Sequence, residues 1–219
     1  MSTIFLSPEW FFGYDVLFEA FFFMISLITA LYALKVHRAT GEELSQYFGY
    51  GFLLISAAYL FQLLSNFLVY SRLNTEVCQI ANLSSVATVD SIGIYGYMLL
   101  MISGLVLLLF VSLKSRMKRT LLILLILSFI LILSSKNQLY TFFLLSSIYL
   151  AFIAWHFLEN YLKHKKATTL SVALAFLFLL FGSFHFLISV NHEAFYVIGH
   201  ILGFFAYLMI LINWYLVRK

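Results

Sequence analysis

Seven apolar runs, each close to the length that crosses a lipid bilayer, follow one another along the chain with short charged or turn-like breaks between them. A hydrocarbon core roughly 30 Å thick takes about 20 mostly apolar residues in a helix, and within it every backbone amide must be satisfied inside the protein. Together these constraints predict seven transmembrane α-helices, at about 14–36, 46–70, 91–113, 117–135, 138–162, 167–190 and 194–217. The expected fold class is therefore all-α, a polytopic membrane helical bundle forming a single seven-helix transmembrane domain over residues 1–219. Pro8 is the only proline and precedes the first run, so no span carries a proline kink. The tight connections make sequential helices antiparallel neighbours, and the longest break, Ser71 to Asp90, has room for a short surface helix.

Orientation follows from Lys and Arg, which keep short loops on the cytoplasmic side. One face of the expected bundle collects Lys35, Arg38, Lys114, Arg116, Lys118, Arg119, Lys163, Lys165, Lys166, Arg218 and Lys219, whereas the other has only Arg72 and Lys136. This asymmetry predicts an N-out/C-in arrangement. Residues 1–14 hold no Lys or Arg, and the run from Tyr14 continues too far for a secretory signal, so the first run is read as a retained helix.

Composition excludes the other broad classes. Apolar residues make up 63% of the chain and charged residues 10%, against about 25% charged in soluble domains. The net charge of +4 sits in loops beside apolar runs rather than on a solvated surface with aromatic readers, which argues against nucleic acid as a partner and for the headgroups of a lipid bilayer. Cys78 is the only cysteine, so neither an intrachain disulfide nor a thiolate metal cluster is available. The expected location is a multi-pass position in the cell membrane.

Polar residues inside a bilayer are expensive and tend to face the bundle interior. At i+3 and i+4 steps, Asp15, Glu19, Phe22, Ser26, Thr29 and Ala33 share a face of the first helix, and Ser56, Tyr59, Gln62, Asn66 and Tyr70 a face of the second. The fifth has Tyr149, Phe152, His156, Glu159 and Lys163; the sixth Ser171, Ala175, Phe178, Gly182, His185 and Ser189; the seventh Tyr196, His200, Gly203, Tyr207 and Trp214. Counted from the outer ends, Glu19, His185 and His200 lie at depths that agree within about one turn. With the first, sixth and seventh helices adjacent in a ring, this trio is expected to converge in an outward-facing pocket, supported by Gln62, Asn66 and Tyr207.

Two imidazoles and a carboxylate suit a transition metal such as Zn²⁺ or Fe²⁺ or a proton relay, and two imidazoles suit haem. Equally, such residues hydrogen-bond across membrane helices merely to hold them together. His156 and Glu159 form a second, inner cluster, read either as a site or as an interfacial hydrogen-bond group beside a snorkelling Lys163. Gly199 and Gly203 match the small-xxx-small spacing that admits close helix approach, and Asn82-Leu83-Ser84 is a glycosylation sequon in the expected outer loop. The fourth helix, nearly devoid of polar side chains, is expected to face lipid or to link two three-helix halves.

Seven helices in this orientation bring receptors and microbial rhodopsins to mind, but the last helix has no lysine before Lys219 to hold a retinal, and neither an Asp-Arg-Tyr-like triplet nor an Asn-Pro pair is present. Zinc hydrolases of the ceramidase type place H-x-x-x-H on the last helix; here His192 and His200 are eight apart. The segments GYGFLLISAAYLFQLLSNFLVY and VIGHILGFFAYLMILINWYLVRK resemble parts of uncharacterised archaeal and bacterial seven-helix proteins, a resemblance that implies a fold and no activity. The leading expectation is a pocket for a metal ion, cofactor or small ligand. The alternatives are a receptor-like sensor with cytoplasmic signalling proteins as partners, an assembly subunit among other membrane subunits, a small-solute or ion transporter, and a metal-dependent hydrolase, for which no nucleophile, base and orienting group stand out.

Overall fold

The computed structural model describes residues 8, 10–11, 13–73, 83–113, 117–189 and 192–218, with side chains for this set apart from 68–73, 83–90 and 218. Among these residues the chain forms seven α-helices: α1 (Tyr14–Thr40), α2 (Glu43–Leu73), α3 (Leu83–Ser112), α4 (Lys118–Ser134), α5 (Gln138–His164), α6 (Ala167–Ser189) and α7 (Ala194–Arg218). Six are long and apolar enough to cross a membrane, and α4, at 17 residues, is the short one. The chain is thus a multi-pass, all-helical protein suited to a lipid bilayer.

Helix ends lie where local chemistry stops them. At the start of α1 the Asp15 carboxylate accepts the Gly13 and Val16 amides, both at 2.9 Å, satisfying donors that an α-helix leaves open in its first turn. The helix continues past the expected limit of 36 to Thr40, where Gly41 takes the left-handed conformation (φ 73°) and donates its amide to the His37 carbonyl at 2.7 Å. Asn137 caps α5 by accepting the Tyr140 amide at 3.2 Å. Helix α2 ends at Leu73 and α3 begins at Leu83, so much of the break expected at Ser71 to Asp90 continues these two helices. Cys78, the asparagine of the Asn82 sequon, Lys114, Arg116 and Lys219 lie outside the described residues.

The helices pack in a ring in the order α1, α2, α3, α5, α6, α7, closing where α7 meets α1. Helix α4 stands outside this ring against α3 and α5 alone, with only Ser128 and Ile132 buried. Small residues bring the ring together. A Cβ on Gly104 would fall 2.7 Å from the Gly51 carbonyl oxygen, so α2 and α3 meet backbone to backbone, and one on Gly182 would fall 3.2 Å from the Gly199 carbonyl oxygen between α6 and α7. Single hydroxyl bonds stitch several seams: Ser56 donates to the Phe23 carbonyl (3.3 Å), Ser147 to Ser183 (2.9 Å) and Ser171 to Asn213 (3.1 Å). Tyr95 of α3 also hydrogen-bonds Gln138 of α5, bridging the ring past α4.

Helices α6, α7 and α1 follow one another in the ring, as expected. One expectation about facing changes. The polar stripe of α5 does not point at the ring axis: Tyr149 turns to Ser128 of α4, hydroxyl to hydroxyl at 2.7 Å, and Phe152 is exposed. The position of α4 explains this, since its one buried hydroxyl draws the tyrosine outward.

Candidate functional site: a girdled cavity on the ring axis

A cavity of about 150 Å³ occupies the axis, lined by α1, α2, α3, α5, α6 and α7 but not by α4. Helices α1, α3, α5 and α7 begin at one end of the bundle, here called the amino-terminal end, and α2 and α6 finish there. Toward that end the lining includes Asp15, Gln62, Ser65, Asn66, Gly93, Leu139 and Tyr196. Toward the opposite, basic end it includes Ile55, Met101, Leu105, Leu150, Leu179 and Tyr207, with Ser146 the hydroxyl that has no partner.

Between the two parts runs a closed girdle of aromatic rings. Phe22 meets Tyr59 (ring centroids 5.2 Å apart), Tyr59 meets Tyr97 (6.1 Å), Tyr97 meets Phe142 (5.5 Å) and Phe142 meets Phe143 (5.0 Å). Phe143 then stacks on Phe186 (5.5 Å), Phe186 meets His200 edge-on (5.1 Å), and His200 returns to Phe22 (6.3 Å). All seven rings line the cavity, and every helix of the ring contributes at least one. Centroid separations of 4.5–7 Å are those at which aromatic pairs attract.

On the amino-terminal side of the girdle, Asn66 donates to Glu19 Oε1 at 2.7 Å, joining α2 to α1. Glu19 is 1% exposed and its Oε2 has no hydrogen-bond partner. It sits one turn from Asp15 and one from Phe22 on the same face of α1, and both of those line the cavity. His200 is 3% exposed, enclosed by Phe11, Phe18, Phe22, Phe186 and Tyr196. Its Nδ1 donates to the Tyr196 carbonyl at 3.1 Å, which leaves Nε2 as the nitrogen a ligand can engage.

The structure thus joins Glu19 to Asn66 and brings Gln62, Asn66, Tyr207 and His200 to one cavity. It does not hydrogen-bond Glu19 to His200, it leaves Glu19 out of the cavity lining, and it sets His185 elsewhere. The His185 ring packs on Phe195, its Nδ1 donates to the Phe181 carbonyl at 2.7 Å, and it does not line the cavity. The cause is helical phase: Phe186, about 100° round the helix from its neighbour, takes the axial place. Among the described residues no three His, Cys, Asp or Glu side chains gather as a metal site. No protein family, curated protein or solved structure matches the chain.

At the basic end, Lys163 pairs with Glu159 at 2.6 Å one turn along α5, and Asn160 donates to His156 Nε2 at 3.0 Å. Both bonds lie within a single helix, and the ion pair is half exposed. An exposed i,i+4 pair of this kind contributes about 0.3–0.5 kcal/mol.

Tyr97, Phe142, Phe143 and Phe186 lie outside the stripes that polar residues mark in the sequence. The available signal was spacing. Gly93, Tyr97, Met101 and Leu105 repeat at four residues, as do Phe142, Ser146 and Leu150, each an axial stripe with no charge to announce it.

Proposed function

We propose that the chain crosses the cell membrane seven times, N-out and C-in, and binds a small amphipathic molecule in the axial cavity, admitted from the outer side. The topology rests on the eleven Lys and Arg expected on one face against two on the other. Helix α4 serves as the seventh span: 17 residues reach about 25 Å at 1.5 Å per residue, with Lys118 and Arg119 at one end and Lys136 beyond the other.

The observation that carries the binding reading is the division of the cavity, polar toward the amino-terminal end and mainly apolar toward the basic end, where Ser146 and Tyr207 supply the hydroxyls, with the girdle between. Ligand pockets typically combine an apolar body with a few convergent polar groups. A volume of about 150 Å³ takes a body of about benzene size, which is far too small for a porphyrin. With His185 off the cavity, the donor set also favours an organic ligand over a metal ion.

Two measurements test this. A membrane-impermeant maleimide should label Cys78 in intact cells; labelling only after permeabilisation would reverse the orientation. In lipid nanodiscs, small amphiphiles should raise the melting temperature of the native protein but not of Ser146→Trp, in which the indole fills the apolar part. Equal shifts for both proteins would remove the cavity as the binding site.

A further inference from the structure

One member of the girdle differs from the rest in having nitrogen in its ring. His200 stands between Phe22 and Phe186, is buried and lines the cavity. Its Nδ1 carries the hydrogen that bonds the Tyr196 carbonyl at 3.1 Å, so in the neutral ring Nε2 presents a bare lone pair that can only accept. No described residue donates to it. By contrast, Asn160 donates to the same nitrogen of His156 at 3.0 Å. Buried polar atoms are as a rule hydrogen-bonded. For an acceptor walled by Phe11, Phe18, Phe22, Phe186 and Tyr196, the cavity is where a donor can come from.

The level of His200 along the axis decides which part of a ligand meets this nitrogen. The girdle is the boundary between the part of the cavity that holds Gln62 and Asn66 and the part walled by Met101, Leu105 and Leu150. A polar group bonded at the girdle therefore leaves the rest of the molecule against apolar walls, with room for a body of about benzene size. Other polar groups of the lining spend their hydrogens within the protein: Asn66 donates to Glu19 at 2.7 Å, and Ser183 to the Phe143 carbonyl at 3.3 Å.

We infer that the cavity recognises a small alcohol or phenol, which donates its hydroxyl hydrogen to His200 Nε2 at the level of the girdle and lays its aryl or short alkyl body against the apolar walls toward the basic end. This inference rests on the binding reading above and narrows it to a ligand class. A molecule of the same size with no hydrogen to donate leaves the imidazole lone pair unpaired, and a site built to hydrogen-bond a hydroxyl discriminates against analogues that lack it.

Benzyl alcohol and anisole are isomers that differ in whether the oxygen carries a hydrogen, so they separate the possibilities. Each is titrated calorimetrically into the full chain in nanodiscs, with empty nanodiscs used to correct for partitioning into lipid. Benzyl alcohol should bind about tenfold more tightly than anisole. His200→Phe, which keeps a ring in the girdle, should bring benzyl alcohol down to the level of anisole and leave anisole unchanged. In the native protein with isotopically labelled histidine, benzyl alcohol should shift the resonance of one unprotonated imidazole nitrogen and anisole should not, so the inference stays testable if His200→Phe fails to fold. Anisole binding as tightly as benzyl alcohol, a preference that survives in His200→Phe, or imidazole signals unmoved by benzyl alcohol overturns the hydroxyl assignment and leaves the pocket. Absence of binding by both probes overturns the assignment and the pocket together.

Discussion

On the amino-terminal side of the girdle the cavity wall depends on a few directed bonds, chief among them Asn66 to Glu19. On the basic side it depends on volume, through Ile55, Met101, Leu105, Leu150 and Leu179. In lipid the hydrophobic effect does not drive helices together, so association rests on van der Waals packing and interhelical hydrogen bonds. This protein weights those two resources differently along one axis: the interhelical bonds of Ser56 to Phe23 and Ser171 to Asn213 lie toward the basic end, but the cavity wall there is mostly apolar. A substitution should therefore act through lost contact volume on one side, and through an orphaned polar group on the other.

The girdle is where the two regimes meet, and breaking it should have the largest effect. Phe142→Ala removes a side chain that is 1% exposed and should lower stability by about 3–5 kcal/mol, read as the midpoint of unfolding in a denaturing-detergent titration. A loss below about 1 kcal/mol would mean that the ring contacts contribute little. On the polar side, Asn66→Leu strands Glu19 Oε1 and should cost about 1–3 kcal/mol. The double variant Glu19→Leu, Asn66→Leu should recover most of that loss, because no buried polar atom is left unpaired. If the double variant is as unstable as the single, the polar side is held by volume after all.

Smaller effects test the boundaries of the comparison. Tyr149→Phe removes the hydroxyl bond between α5 and α4 and should cost about 0.6 kcal/mol, without altering probe binding in the cavity. His185→Ala should fall within about 0.5 kcal/mol of the native protein and leave ligand affinity unchanged, whereas His200→Ala should open the girdle and weaken binding. Equal responses from the two histidines would contradict their placement on opposite sides of the cavity wall.

The two histidines also measure what the sequence could say. Depth was legible, since residue counts from the helix ends place both imidazoles at one level. Phase was not. A stripe drawn at i+3 and i+4 spans a broad arc of the helix, and only the packing of α6 against α7 decides that Phe186 faces the axis and His185 turns aside. Apart from Tyr70, whose side chain lies outside the described set, the stripes of α1, α2 and α7 turn to the interior, because Asp15, Glu19, Gln62, Asn66 and His200 leave lipid no acceptable alternative. On α5 the same logic failed, for Tyr149 found a hydroxyl partner outside the ring. The aromatic girdle carried no polar signature and was invisible to a search for chemistry, although its spacing was present in the chain.

The place of α4 has a consequence for how the molecule can be divided. Phe22, Tyr59 and Tyr97 all precede α4, and Phe142, Phe143, Phe186 and His200 all follow it, so an interruption anywhere from 114 to 137 severs no segment that builds the hoop. Two co-expressed pieces, each supplying half the staves, would carry between them everything needed to rebuild the vessel.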